Sequence, residues 1–409
     1  MEDELLVQPT MDDFLAAKKE LEGKINRTPL NYSSTFSRMY GADIFFKMEN
    51  IQKTGSFKAR GAIFKVSRLT NDQKRRGVIT ASAGNHAQGV AYAAMINGIN
   101  AKIVMPEYTV PAKVNAVMDY KAQVVLSGAD YNEAHIRADE ICKVENRTFI
   151  DAFNDRWIIS GQGTIGLEIL EDQPDIDIIL VPIGGGGLIS GIALAAKMLK
   201  PGIRVIGIQS EQADSMKQSV AAGKIVPYTS TNTIADGISV KYPGELNLRI
   251  VQKYVDDIVT VSDESIAMAL YKLLERNKIL VEPSGAVGLA ALMEGKIDVR
   301  GKKVAIVLSG GNANLLLLSK IIYKAMEIEN RLVRIDFHIP DRPGTLMKIA
   351  TTISSVGGNI YHAQVDNMER STPVGFQSVK FTVNVRGKAH ADELIDKLKT
   401  LGYSFEVET

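Results

Sequence analysis

Over the first 325 residues, short apolar runs alternate with longer amphipathic stretches. The runs at Ile44–Lys47, Val78–Thr80, Lys102–Met105, Val124–Leu126, Ile176–Val181, Arg204–Ile208 and Lys303–Leu308 are β-branched and nearly continuous in apolar character. That pattern predicts parallel strands buried on both faces. Between them, helices are predicted over Phe57–Arg68, Asn85–Asn97, Ala129–Val144, Gly187–Lys200, Asp263–Asn277 and Gly285–Met293. Strand–helix alternation at this spacing predicts an open, mostly parallel α/β sheet. Ligands of such sheets bind outside the carboxyl ends of the strands.

After about residue 330 the period changes. Val333, Ile335, Phe337 and Ile339 alternate with Arg334, Asp336 and His338, so one face is buried and the other polar. A helix to Val356, strands at Ile360–Val365 and Val379–Val385, a helix over Ala389–Leu401 and a strand at Phe405–Val407 complete a βαββαβ, ferredoxin-like plan.

Composition narrows the function. The 48 basic and 47 acidic residues leave a net charge of +1, which argues against an extended nucleic-acid surface. A single cysteine, Cys142, cannot form an intrachain disulfide, so a reducing, cytoplasmic setting is expected. Met1–Leu6 lacks the basic and apolar regions of a leader, and no apolar run is long enough to span a membrane. No nucleic-acid or membrane partner is therefore expected. The 34 glycines outnumber 13 prolines and are clustered.

Four segments at predicted strand ends carry chemistry. Thr54-Gly55-Ser56-Phe57-Lys58 places a lysine at a helix start, where the macrodipole disfavours the ammonium form and favours a Schiff-base amine. Ser82-Ala83-Gly84-Asn85-His86 offers backbone N–H groups suited to a carboxylate or phosphate, and an Asn side-chain donor. His86 reads as structural. Gly184-Gly185-Gly186-Gly187-Leu188 opens a helix with four glycines, a phosphate cup that is neither a P-loop nor a dinucleotide fingerprint. Ser309-Gly310-Gly311 ends the last strand with a neutral hydroxyl. Taken singly, they also read as a solvated helix lysine, a strand–helix loop capped by Ser82 or Asn85, a glycine-rich turn and a plain turn.

As a set these segments resemble the pyridoxal-phosphate enzymes of the tryptophan-synthase-β type, and most closely the threonine ammonia-lyase family, with serine dehydratase and serine racemase beside it. The resemblance implies a two-lobed catalytic region over residues 1–325, with a smaller lobe at about 50–150. It implies that Lys58 holds the cofactor and removes the substrate α-proton, and that Gly184 to Leu188 hold the phosphate. It further implies that Asn85 donates to the ring 3-oxygen, that Ser309 meets the ring nitrogen, and that Ser82, Ala83, Gly84, Asn85 and His86 receive the substrate carboxylate. The resembled racemases carry a serine at the position of Ala83, so elimination is expected over racemisation. Their carboxylate pair corresponds to Gln209 and Ser215, so no metal is expected. Glu282 and Ser284 border the cofactor, border a monovalent cation or cap a helix. Residues 326–409 resemble an ACT domain. Asp341, Arg342, Pro343 and Gly344, with Gly358, Asn359 and Ile360, match its effector loops and are expected near one sheet end. Isoleucine or valine is the effector implied, and a homo-oligomer, dimer or tetramer, is expected from side-by-side sheet pairing. The remaining readings are another enzyme of the same fold, or an amino-acid-binding regulator with an inactive catalytic layer.

Overall fold

The computed structural model describes residues 7–228, 232–366 and 372–408. The Met1–Leu6 segment read above for a leader lies outside the described residues. The chain divides into two compact units, Met1–Ala313 and Asn314–Thr409.

Among its described residues the first unit contains ten strands: β1 (Leu30–Tyr32), β2 (Asp43–Lys47), β3 (Val78–Ala81), β4 (Ala101–Met105), β5 (Gln123–Leu126), β6 (Thr148–Phe149), β7 (Ile178–Pro182), β8 (Arg204–Ser210), β9 (Asp257–Val261) and β10 (Lys303–Val307). They form two sheets. The larger has the order β1-β2-β10-β7-β8-β9 and the smaller β5-β4-β3-β6. Every pairing is parallel except β1 with β2. Parallel strands need crossover helices on both faces, which is why the runs are apolar throughout. Ile179, Val181, Val205, Ala305 and Val307 pack with Ile165 and Ile192 in the larger lobe. Val78 and Ile103 pack with Ile63, Val90 and Ile158 in the smaller.

Several elements escape the hydrophobic pattern, among them β1, β6 and helix Glu245–Tyr254. The helix Arg156–Asp172 is buried over thirteen consecutive residues, Ile158–Leu170, and shows no polar stripe. The edge strand β9 carries only one short apolar alternation, Ile258 and Val261 being its buried residues. Among the described residues no helix is long and apolar enough to cross a membrane.

The second unit is an antiparallel sheet of β11 (Leu332–Pro340), β12 (Asn359–Asp366), β13 (Phe376–Asn384) and β14 (Ser404–Glu408), in the order β12-β13-β11-β14. Helices Thr345–Ser355 and Lys388–Lys399 bury Ile349, Ile353, Leu394 and Leu398 against Ile335, Phe337, Val379 and Phe381. The helix Leu315–Ile328 also belongs to this unit. Its Tyr323 hydroxyl donates to Thr382 Oγ1 at 3.4 Å and its ring stacks under Arg334, so it covers part of the face read as polar.

The register corrects one expectation. Pro340, which precedes Asp341, pairs with Phe376, whereas Asn359 pairs with Asn384, and Asn384 with Leu332. Within one unit the Asp341–Gly344 loop and the Gly358–Ile360 segment therefore lie at opposite ends of the sheet. The eleven-residue helix between them, with its flanking loops, carries the chain back along the sheet.

Candidate active site

The strand ends Lys47, Ala81, Pro182 and Val307 lead into the four glycine-bearing segments. Because β2, β10 and β7 are parallel neighbours, the lysine, serine and tetraglycine segments leave the larger sheet on the same side. The 82–86 loop leaves β3 of the smaller sheet.

Lys58 is the first residue of helix Lys58–Ser67, whose preceding residue supplies no side-chain cap. Its ammonium therefore meets the positive end of the helix. Nζ donates to Ala152 O at 2.9 Å. Burial pushes the amine down to about 8, against the opposing pull of the Asp151 and Glu282 carboxylates. The loop before it is strained: Thr54, a β-branched residue, has φ of +62°. Its carbonyl is pinned by Asn312 Nδ2 at 2.9 Å.

The tetraglycine turn follows β7 and opens helix Gly187–Leu199. Gly186 has φ of +98°, a conformation that side chains rarely adopt. A Cβ on Gly185 would lie 2.4 Å from the Phe153 ring. The turn's carbonyls are already bonded: Gly185 O accepts from Gly244 N and Asn247 Nδ2, and Gly186 O from Ser190 N. Its N–H groups belong to the helix opening, where no earlier carbonyl stands to receive them. N–H groups so placed can seat an anion. Leu188 lies buried beneath the turn.

Ser82, Ala83, Gly84 and Asn85 are partly exposed and His86 is buried. Gly84 caps helix Asn85–Ile96 without a side chain, and a Cβ there would meet only open space. The helix opening thus presents N–H groups to a free volume, as a carboxylate seat requires. His86 Nε2 donates to Ile150 O at 3.0 Å. Burial first, then the nearby Lys58 charge, push its imidazole down to about 4, so it is neutral at pH 7. Ser309 is buried at the end of β10, and its carbonyl accepts from Phe57 N, which fixes the residue preceding Lys58.

The sequence motifs leave out residues that join these segments. Ala152 holds Lys58, and the adjacent Phe153 ring packs under the tetraglycine turn. The strand-to-helix turn Asp151–Asp155, with Asp155 as the helix N-cap, was the available signal. On the other side, Asn85 Nδ2 donates to both oxygens of Glu282, and Asn312 Nδ2 donates to Asn85 Oδ1. Burial raises the Glu282 carboxyl to about 7. Gln209 is committed to Ile183 O, Ala213 O and Lys217 N, and Ser215 to Val240 O. Among the described residues, no three His, Cys, Asp or Glu side chains gather into a metal-holding group.

Residues 21–310 match the model of the family described as "Pyridoxal-phosphate dependent enzyme". The chain belongs to that family. Residues 328–407 match the ACT domain, so the enzyme carries an ACT domain after its catalytic region. An L-threonine ammonia-lyase of Thermotoga maritima is 43% identical over 97% of this chain and 99% of its own. The catabolic L-threonine dehydratase TdcB of Escherichia coli K12 is 47% identical over 76% of this chain and 95% of its own. Among solved structures, maize serine racemase aligns with a TM-score of 0.74 at 40% identity, covering 79% of this chain and 100% of that one. The residues present fit pyridoxal phosphate: an anion seat that side chains would fill, and a lysine whose amine burial has made easier to deprotonate.

Proposed function

We propose that the enzyme is an L-threonine ammonia-lyase, converting L-threonine to 2-oxobutanoate and ammonia, and L-serine to pyruvate. The observation that carries the reading is Lys58: an amine at a helix start, lowered to about 8, bonded to Ala152 O next to the Phe153 that packs against the tetraglycine turn. Bound pyridoxal phosphate supplies an electron sink that makes the substrate α-proton acidic. Gly184 to Leu188 would hold its phosphate, Asn85 would face its ring oxygen, Ser309 its ring nitrogen, and Lys58 would be its point of covalent attachment.

The remaining chemistry is the protein's own. N–H groups of Ser82 to His86 seat the substrate carboxylate and orient the α-carbon. Lys58 Nζ takes the α-proton as general base. The β-hydroxyl leaves as water, taking the proton that Lys58 Nζ has just accepted, so the amine is regenerated. The resulting enamine is hydrolysed to the 2-oxo acid and ammonia. Ala83 bears no transferable proton, so no side chain at that position can reprotonate the opposite face; this favours elimination over the racemase reading.

The ACT domain supports binding of an amino-acid effector, with isoleucine or valine as the ligand. The Asp341–Gly344 loop is exposed, and Gly344 opens helix Thr345–Ser355 without a side-chain cap. In one copy the effector uses this loop or Gly358–Ile360, not both. The half-exposed sheet supports a homo-oligomer, and the lone thiol of Cys142 a cytoplasmic setting.

The test is a 2-oxo acid assay with L-threonine and L-serine, with and without isoleucine, together with chiral analysis of the remaining amino acid. Production of 2-oxobutanoate without D-amino acid is expected. D-serine as the main product would overturn the elimination reading.

A further inference from the structure

Asn85 sits at the end of a directional chain of hydrogen bonds. The Thr54 carbonyl, which only accepts, takes a bond from Asn312 Nδ2 at 2.9 Å. The same amide nitrogen donates to Asn85 Oδ1 at 2.7 Å. Asn85 Nδ2 then donates to Glu282 Oε1 at 2.8 Å and Oε2 at 3.0 Å. Flipping the Asn85 amide would set two NH2 groups face to face and a carbonyl against a carboxylate. The polarity of the chain therefore allows one orientation.

The surroundings are shaped to this chain. A Cβ on Gly55 would lie 2.5 Å from Asn312 Oδ1, and one on Gly310 2.5 Å from Glu282 Oε1. Glu282 is 5% exposed and stands at the start of helix Pro283–Met293, yet its side chain makes no capping bond there. Its backbone N–H donates to Gly310 O at 2.9 Å. Lys58, Lys113 and Asp236 are the charged groups acting on it. A buried carboxylate is costly unless it is well bonded, and the side-chain bonds of this one go to Asn85.

We propose that Glu282 is a positioning residue of the cofactor site: acting through Asn85, with Asn312 holding the other end, it sets the direction in which the Asn85 amide faces the cofactor ring. The inference rests on the reading of Asn85 as the ring-oxygen donor. An amide has two N–H groups, so one stays on Glu282 while the other is presented to the ring. Glu282 itself exchanges no proton with substrate.

The test is titration of the full-length apoprotein with pyridoxal 5'-phosphate, followed by absorbance and by visible circular dichroism of the bound cofactor. Glu282→Gln places a second amide against Asn85. It should weaken cofactor binding about tenfold and reduce the dichroic band. Combined with Asn85→Ala, it should add nothing to the loss caused by Asn85→Ala alone. Unchanged affinity and dichroism, or fully additive losses, would overturn the inference. If Glu282→Gln does not fold, Asn312→Ala must give the same dichroic change and the same non-additivity with Asn85→Ala; normal values there overturn it too. Wild-type protein that takes up no cofactor, or from which borohydride fixes none on Lys58, removes the underlying reading and this inference with it. Uptake on Lys58 with additive losses removes this inference alone.

Discussion

Lys58 pays for its reactivity in stability. Its amine is at about 8 in the folded chain and 10.5 as the ordinary value. Between these values the unfolded chain binds more protons than the folded one, so stability of the cofactor-free protein rises with pH across that window. Below about 8 both states are protonated and the whole cost of burying the ammonium is present. Lys58→Met should therefore raise the melting temperature of the apoprotein at pH 7, and its advantage should shrink as pH climbs toward 10.5. Melting curves at a series of pH values measure this; an advantage that stays constant with pH would mean that the lysine's charge is not its source. Lys58, Asn85 and the glycines were legible in the sequence because each declares its chemistry by type and by place at a strand end. The bond between Glu282 and Asn85 was not, since the two residues stand 197 positions apart. Sequence alone left Glu282 open among cofactor border, cation border and helix cap.

At the scale of elements, the helix bearing Lys58 is held by an ionic cluster in the core. Arg60 donates from Nε and Nη2 to Glu49 at 2.8 and 2.7 Å, and from Nη1 to Glu168 Oε1 at 2.6 Å. Lys47 Nζ donates to Glu168 Oε2 at 2.6 Å. The side chains of Lys47, Glu49 and Arg60 are wholly buried and that of Glu168 nearly so. The cluster joins β2, the 3-10 turn after it, helix Lys58–Ser67 and helix Arg156–Asp172. Two cations balance two carboxylates, so removing one leaves an uncompensated buried charge. Arg60→Met should cost about 3–5 kcal/mol, and adding Glu49→Gln should recover part of that loss by restoring neutrality. Urea unfolding of the three proteins measures it; an unchanged midpoint for Arg60→Met would show that the cluster contributes no net stability. Strands β2, β3, β4, β5, β7, β8 and β10 were readable as β-branched runs, whereas β1, β6 and β9 were not. Helix Arg156–Asp172 was not, because a helix surrounded by protein has no polar face to set a period. Its glycines, Gly161, Gly163 and Gly166, also lower its apparent propensity while allowing close approach of neighbouring backbone.

At the scale of the molecule, the boundary between the two units decides how regulation can be tested. The sequence reading ended the catalytic region near residue 325, a little ahead of the alternating strand that begins after about residue 330. The structure divides the chain between Ala313 and Asn314, because helix Leu315–Ile328 buries Ile321 and Ala325 and packs on β11. Amphipathic helices look alike whichever sheet they cover, so sequence could not assign this one. The effector loops were misjudged for a related reason: motifs fix which residues form turns, but only strand register tells which end of a sheet a turn occupies. A chain ending at Ala313 should retain 2-oxo acid production from L-threonine and lose any response to isoleucine or valine. A chain ending at residue 330 would keep the helix without its sheet, expose Ile321 and Ala325, and be the less soluble of the two. Activity assays with and without each amino acid, with light scattering on both truncations, separate the outcomes. A response that persists in the chain ending at Ala313 would place the effector site in the catalytic unit. Loss of activity would instead mean that the first unit depends on the second for its folding or assembly, and the coupling would then be structural before it is regulatory.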